Sequence, residues 1–108
     1  MAYSLNRFVG PTALTTQPTN LYTFGSNSIV KQILITNVTN GNLNFSLYLI
    51  PSGQQVGSLS NLIYGNVVVP ANTTSAFNLS LVCYVGDSLY SLANITNGLN
   101  VTISGVNS

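Results

Sequence analysis

Apolar residues recur along this chain at every second position, in short runs separated by Gly, Pro and Asn. The segment 28–37, SIVKQILITN, is rich in β-branched side chains and sets Ile29, Lys31, Ile33 and Ile35 on one face, the pattern of a central strand. In LNFSLYLI, Leu43, Phe45, Leu47 and Leu49 alternate with Asn44, Ser46, Tyr48 and Ile50, so one face belongs to a core. Asn40-Gly41 between these runs supplies the positive φ angles of a tight hairpin turn and predicts that the two strands pair antiparallel. The cleanest alternation is SAFNLSLVCY, with Phe77, Leu79, Leu81 and Cys83 facing one way and Asn78, Ser80 and Val82 the other. SLYSLA and LNVTISGV flank a second hairpin signal, Asn97-Gly98, with Leu99, Val101 and Ile103 on the apolar side. LIYGNVVVP reads as a strand with a bulge or bend at Gly65. ANTT and VGDS are turns, and Asp87 is placed to cap local backbone N–H groups.

No helical period is sustained, and strands recur at about ten-residue spacing. The fold class is all-β: an antiparallel β-sandwich of about seven to eight strands, whose order, jelly-roll or immunoglobulin-like, alternation does not distinguish. The stretch 51–61 is polar and without period, a loop that moves the chain to another part of the fold and is suited to carrying contacts. Residues 1–20, with Pro11 and Pro18, also lack a clean pattern. They read as an extended N-terminal arm leading into a sandwich domain over 21–108, whose first strand is LYTF.

Composition then narrows the chemistry. Only 3% of the 108 residues are charged, where about a quarter is usual. Arg7, Lys31 and Asp87 are the whole set, there is no His or Glu, and Cys83 is the one thiol. No pair of carboxylates can be assembled for acid–base work, no three or four ligands for a metal, and no Ser sits with Lys31 in a nucleophile elbow. The chain is therefore not expected to be an enzyme, and no catalytic, cofactor or metal site is assigned. A formal net charge of +1 gives no footprint for nucleic acid. No apolar run reaches the length of a signal peptide or a membrane span, so the chain is expected to be made in a cytoplasm, with no membrane partner.

A surface of Asn, Ser, Thr and Gly repels its own copies weakly, which favours close association. Interface candidates are Arg7 and Phe8 in the arm, Lys31 on an otherwise apolar face, and the tyrosines Tyr48 and Tyr64. Lys31 either snorkels at the strand's end or meets a partner's acceptor. Subunit contact is preferred to a sugar platform for the tyrosines. Cys83 reads as a small, inert core residue. Six Asn-X-Ser/Thr triplets begin at Asn37, Asn44, Asn72, Asn78, Asn94 and Asn100, where chance at this composition gives about three; without a secretion signal they are not read as glycosylated.

The succession IVKQILITN, SLYLIPSG, LSLVCYVGDSLYSLA and NVTISGV, spanning residues 21–106, resembles short virion proteins of tailed bacteriophages. Pro51-Ser52-Gly53 and Gly86-Asp87 match that pattern, whereas Gln54 and Ala71-Asn72 depart from it where Gly and Ala-Gly are usual. The resemblance implies a viral structural protein. Its first reading is a capsid decoration (cement) subunit in the virion, contacting the major capsid protein or other virion proteins as a homo-oligomer, with a trimer as the natural guess. The alternative is a tail, neck or fibre component that recognises host glycans through loops 51–61 and 85–88.

Overall fold

The computed structural model describes residues 4–53 and 61–107. Eight strands are found: β1 (Ser4–Ala13), β2 (Thr19–Thr23), β3 (Ser28–Asn37), β4 (Leu43–Ile50), β5 (Leu62–Val69), β6 (Thr74–Cys83), β7 (Ser88–Ala93) and β8 (Leu99–Asn107). They form two four-stranded antiparallel sheets, ordered β1-β8-β3-β6 and β2-β7-β4-β5. Most of the expected loop 51–61, residues 54–60, lies outside the described residues.

The strand order resolves the alternative that the sequence left open. Strands pair as β1 with β8, β2 with β7, β3 with β6 and β4 with β5, so the chain is one long antiparallel hairpin wound around itself. This is a jelly roll. The two arms of the hairpin stay hydrogen-bonded where they cross between sheets. Leu14 N donates to Leu99 O and Ala93 N to Thr15 O at the first corner, both at 2.8 Å. Phe24 N donates to Asp87 O and Gly86 N to Phe24 O at the second, and Asn37 N to Thr73 O and Asn72 N to Thr39 O at the third.

Two expected hairpins are therefore corrected. β3 and β4 lie in different sheets and do not pair, and neither do β7 and β8. Asn40-Gly41 and Asn97-Gly98 are corner turns: Asn97 takes a left-handed φ of 65°, while neither Asn40 nor Gly41 does. A turn signal fixes a local reversal and leaves open which sheet receives the next strand. At the third corner the buried Asn37 side chain does the organising. Its Nδ2 donates to Gly41 O (2.8 Å) and Val69 O (2.9 Å), and its Oδ1 accepts from Thr39 N and Thr39 Oγ1.

The N-terminal arm is the second correction. Ser4–Ala13 is an edge strand of the first sheet, Leu14 is buried, and Thr19 begins β2. The alternation that would have announced β1 is broken twice by register shifts, one between Arg7 and Val9 and one between Val9 and Thr12. Phe8 and Val9 consequently both point inward. Gly10, at φ +100°, lies so close to Val101 O that a Cβ would collide with it.

A third bulge changes the face reading of β3. Between Val30 and Gln32 the strand advances two residues while β8 advances one, so Lys31 is the extra residue. The inward set is Val30, Ile33 and Ile35, with Ile29 half-buried and Lys31 exposed, rather than Ile29, Lys31, Ile33 and Ile35. The expected bend in β5 is present as a register shift opposite Ser46, with Asn66 at φ 49° and its N–H donating to Ser46 Oγ. β6 and β8 alternate as expected. In β4, Leu43, Phe45 and Leu47 are buried as read, but so are Ser46 and Ile50 on the other parity.

Two aromatic trios close the open sides of the sandwich. Phe8, Tyr22 and Phe24 meet at centroid distances of 5.0 to 5.3 Å where β1 faces β2. Phe45, Tyr64 and Phe77 meet at 5.1 to 6.2 Å where β5 faces β6. Tilted and edge-on pairs of this kind add about 0.5–1.5 kcal/mol each beyond their buried area.

Replacing Asn37 by Ala strands the Gly41 and Val69 carbonyls and the Thr39 N–H in a buried corner. Urea unfolding should show a loss of about 3 kcal/mol, against less than about 1 kcal/mol for Asn100→Ala on the surface of β8.

Candidate interaction surface

The five predicted interface residues separate into four places. Phe8 is corrected to a core residue, 7% exposed and stacked against Tyr22 and Phe24. Tyr64 is half-buried in the second aromatic trio and packs against the core. Tyr48 is half-buried on β4, opposite Tyr90 of β7 and Leu62 of β5. Arg7 and Lys31 are both exposed and border the same groove. With Leu5, Asn6, Ser104, Gly105 and Val106 they line an open groove of about 520 Å³ on the β1-β8-β3 side of the first sheet.

The groove is a product of the bulges. Arg7 stands opposite Ser104 of β8 at the start of one register shift in β1, and Lys31 is the extra residue of β3 on the other flank of the same strand. Gly105 lies between them, where a Cβ would collide with Ile29 O; only a glycine lets β3 and β8 approach this closely at the bulge. Lys31 Nζ donates to Ser80 Oγ (3.1 Å), leaving two of its three protons available. The Arg7 guanidinium has no hydrogen-bond or ion-pair partner among the described residues.

The sheet edges form a second surface, which the sequence did not single out. β1 is an edge strand interrupted by two register shifts and Pro11. β2 is five residues long, and β5 is kinked at Gly65-Asn66 and ends before Pro70. Bulges, prolines and shortness are the usual protections of an edge. β6 is the least protected of the four: it shifts register once, advancing three residues from Leu81 to Asn78 while β3 advances two, but it runs ten residues without charge or proline and alternates in and out from Ser75 to Cys83. Beyond its end stand Tyr84 and Val85, 63% and 60% exposed, beside Val82 at 50%.

At that end Asp87 works as the sequence suggested. Its Oδ2 accepts from Tyr84 N at 2.9 Å and its Oδ1 from Ser52 N at 3.4 Å, which ties the β6–β7 turn to the chain leaving β4. Cys83 is fully buried, and burial, reinforced by the Asp87 charge, pushes its thiol from 9.0 up to about 12. The thiolate is the nucleophile, so native Cys83 is inert.

No family model, curated protein or solved structure matches this chain.

Two measurements follow for Cys83. Its alkylation by iodoacetamide at pH 8 should require unfolding and track the urea transition. Because the folded thiol holds its proton to a higher pH than the unfolded one, its contribution is intact below pH 9.0 and is lost as the pH rises towards about 12. Across that window the stability of the native protein should fall more steeply than that of Cys83→Ala, by up to about 1.4 kcal/mol per pH unit.

Proposed function

We propose that this chain is a structural subunit of a virion, a decoration or cement protein bound to the outer face of a head shell, with no catalytic step. The observation that carries this reading is the long, uncharged β6 edge on a protein with almost no charge. Alternate residues of this ten-residue strand turn their backbone donors and acceptors away from β3, with neither the charges nor the prolines that keep soluble monomers apart. The jelly-roll architecture agrees with it, although lectin and cupin domains use the same architecture, so fold alone does not choose among them.

The mechanism is mass action. A subunit that binds the assembled shell and not its dissociated parts stabilises the shell by the free energy of binding. Antiparallel pairing of β6 with β6 joins two copies about a two-fold axis, and any higher symmetry uses other surfaces. The exposed Tyr84 ring supports the competing reading of a tail, neck or fibre module that recognises host glycans.

Imaging of native particles should place many copies of the chain on the outer head shell, and particles stripped of it should lose resistance to heat and osmotic shock. Particles without the chain, or stripped particles of unchanged resistance, overturn the proposal. A glycan-array signal abolished by Tyr84→Ala selects the competing reading. For the edge itself, the purified protein should self-associate in sedimentation equilibrium. The double variant Ala76→Lys/Asn78→Lys should weaken that association at least about tenfold while leaving the urea midpoint in place.

A further inference from the structure

The two basic side chains of the protein, the only ones in its sequence, line one groove. They come from strands that are not neighbours, β1 and β3, and flank Ser104 of the strand between them. We propose that this groove binds a carboxylate side chain, an Asp or Glu flanked by an aliphatic residue, on a protein other than this one. Resting on the lattice reading above, the proposal supplies the chemistry by which the subunit recognises its partner.

Three observations select that ligand. Among the described residues the Arg7 fork has no partner, and Lys31, whose Nζ is held over Ser80 of β6, retains two protons; the groove thus offers a carboxylate a planar bidentate contact from the guanidinium and a positive charge on its other flank. Two cations are too few for a nucleic-acid backbone, whose binding draws on many phosphate contacts. The rest of the lining is uncharged, with Asn6 and Ser104 polar and Leu5, 90% exposed, beside Val106 and Gly105, and offers no aromatic ring on which a sugar would stack.

A second copy of the chain lacks the side chain to fill the site. Asp87 is the only acidic residue; it is 7% exposed, and both of its oxygens already accept backbone N–H groups. The groove and the β6 edge therefore divide the work. The uncharged edge suits a copy of the same chain, and the charged groove requires a different one.

The test uses the purified protein, ¹⁵N-labelled, titrated with N-acetyl-Leu-Asp-amide and, separately, with N-acetyl-Leu-Asn-amide at matched ionic strength. The Asp peptide should give saturable shifts confined to the amides of residues 5–7, 31 and 104–106. The Asn peptide should bind at least about tenfold more weakly, and Arg7→Gln and Lys31→Gln should each weaken the Asp peptide by a similar factor. Equal binding of the two peptides, shifts that survive Arg7→Gln, or no saturable shift at all would overturn the assignment. So would inorganic phosphate shifting the same amides at lower concentration than the Asp peptide, which would mark a phosphate site. Because this readout needs no particle, failure of the groove and failure of the lattice reading are seen in different experiments.

Discussion

Two sheets that share no hydrogen-bonded ladder have only their facing side chains and their corners to hold them together, and everything else in this protein answers to that constraint. With a single thiol no internal disulfide can form, and with one carboxylate ion pairs cannot contribute much. Burial of apolar area between the sheets has to supply the stabilisation, at about 25 cal/mol per Å² removed from water. That is why the strands turn apolar side chains to the facing sheet, β6 and β8 at constant parity and β1 and β3 with a change of parity at their bulges. It is also why the largest rings gather where β1 faces β2 and β5 faces β6, the sides along which the two sheets share no ladder. The corners do the remaining work. The hairpin arms carry their hydrogen bonds through them, so the backbone groups of the connections are paired rather than stranded between sheets.

The same constraint explains what was legible in the sequence. Phe77, Leu79, Leu81 and Cys83, or Leu99, Val101 and Ile103, can be read directly, because a strand that stays in register must repeat every two residues to keep facing the other sheet. Bulges break this reading without breaking the strand. β1 reads as an arm because Phe8 and Val9 are adjacent and both inward, and Lys31 reads as a core-face residue because the parity of β3 changes there. Asn-Gly pairs read as hairpins because the strand they lead to is selected by the far arm of the wound hairpin, a contact dozens of residues away. For the candidate site, the residue types were visible and their company was not. Arg7 stands out for a charge in the N-terminal arm and Lys31 for a charge on an otherwise apolar face, while nothing in a one-dimensional pattern places them on either side of Ser104.

Near-neutrality shapes the outside as strongly as apolar burial shapes the inside. A protein with a quarter of its residues charged can guard every edge with lysine; this one has two basic residues and places neither on an edge that lacks other protection. Arg7 sits on β1, already interrupted twice, and Lys31 on the interior strand β3. The guarding is left to backbone devices, bulges and prolines, and these combine on β1 and β5, whereas β6 has one register shift and no proline. Local geometry does not force that asymmetry. β6 has the length and composition to accept further interruptions, and its in-and-out alternation from Ser75 to Cys83, which its one register shift leaves intact, maintains the Phe77 contact that closes the sandwich. An edge kept alternating to serve the core is thereby also kept open to a partner. The step from monomer to assembly then requires no new feature in the chain: the regularity that completes the second aromatic trio on the inner face of β6 leaves a pairing surface along its rim.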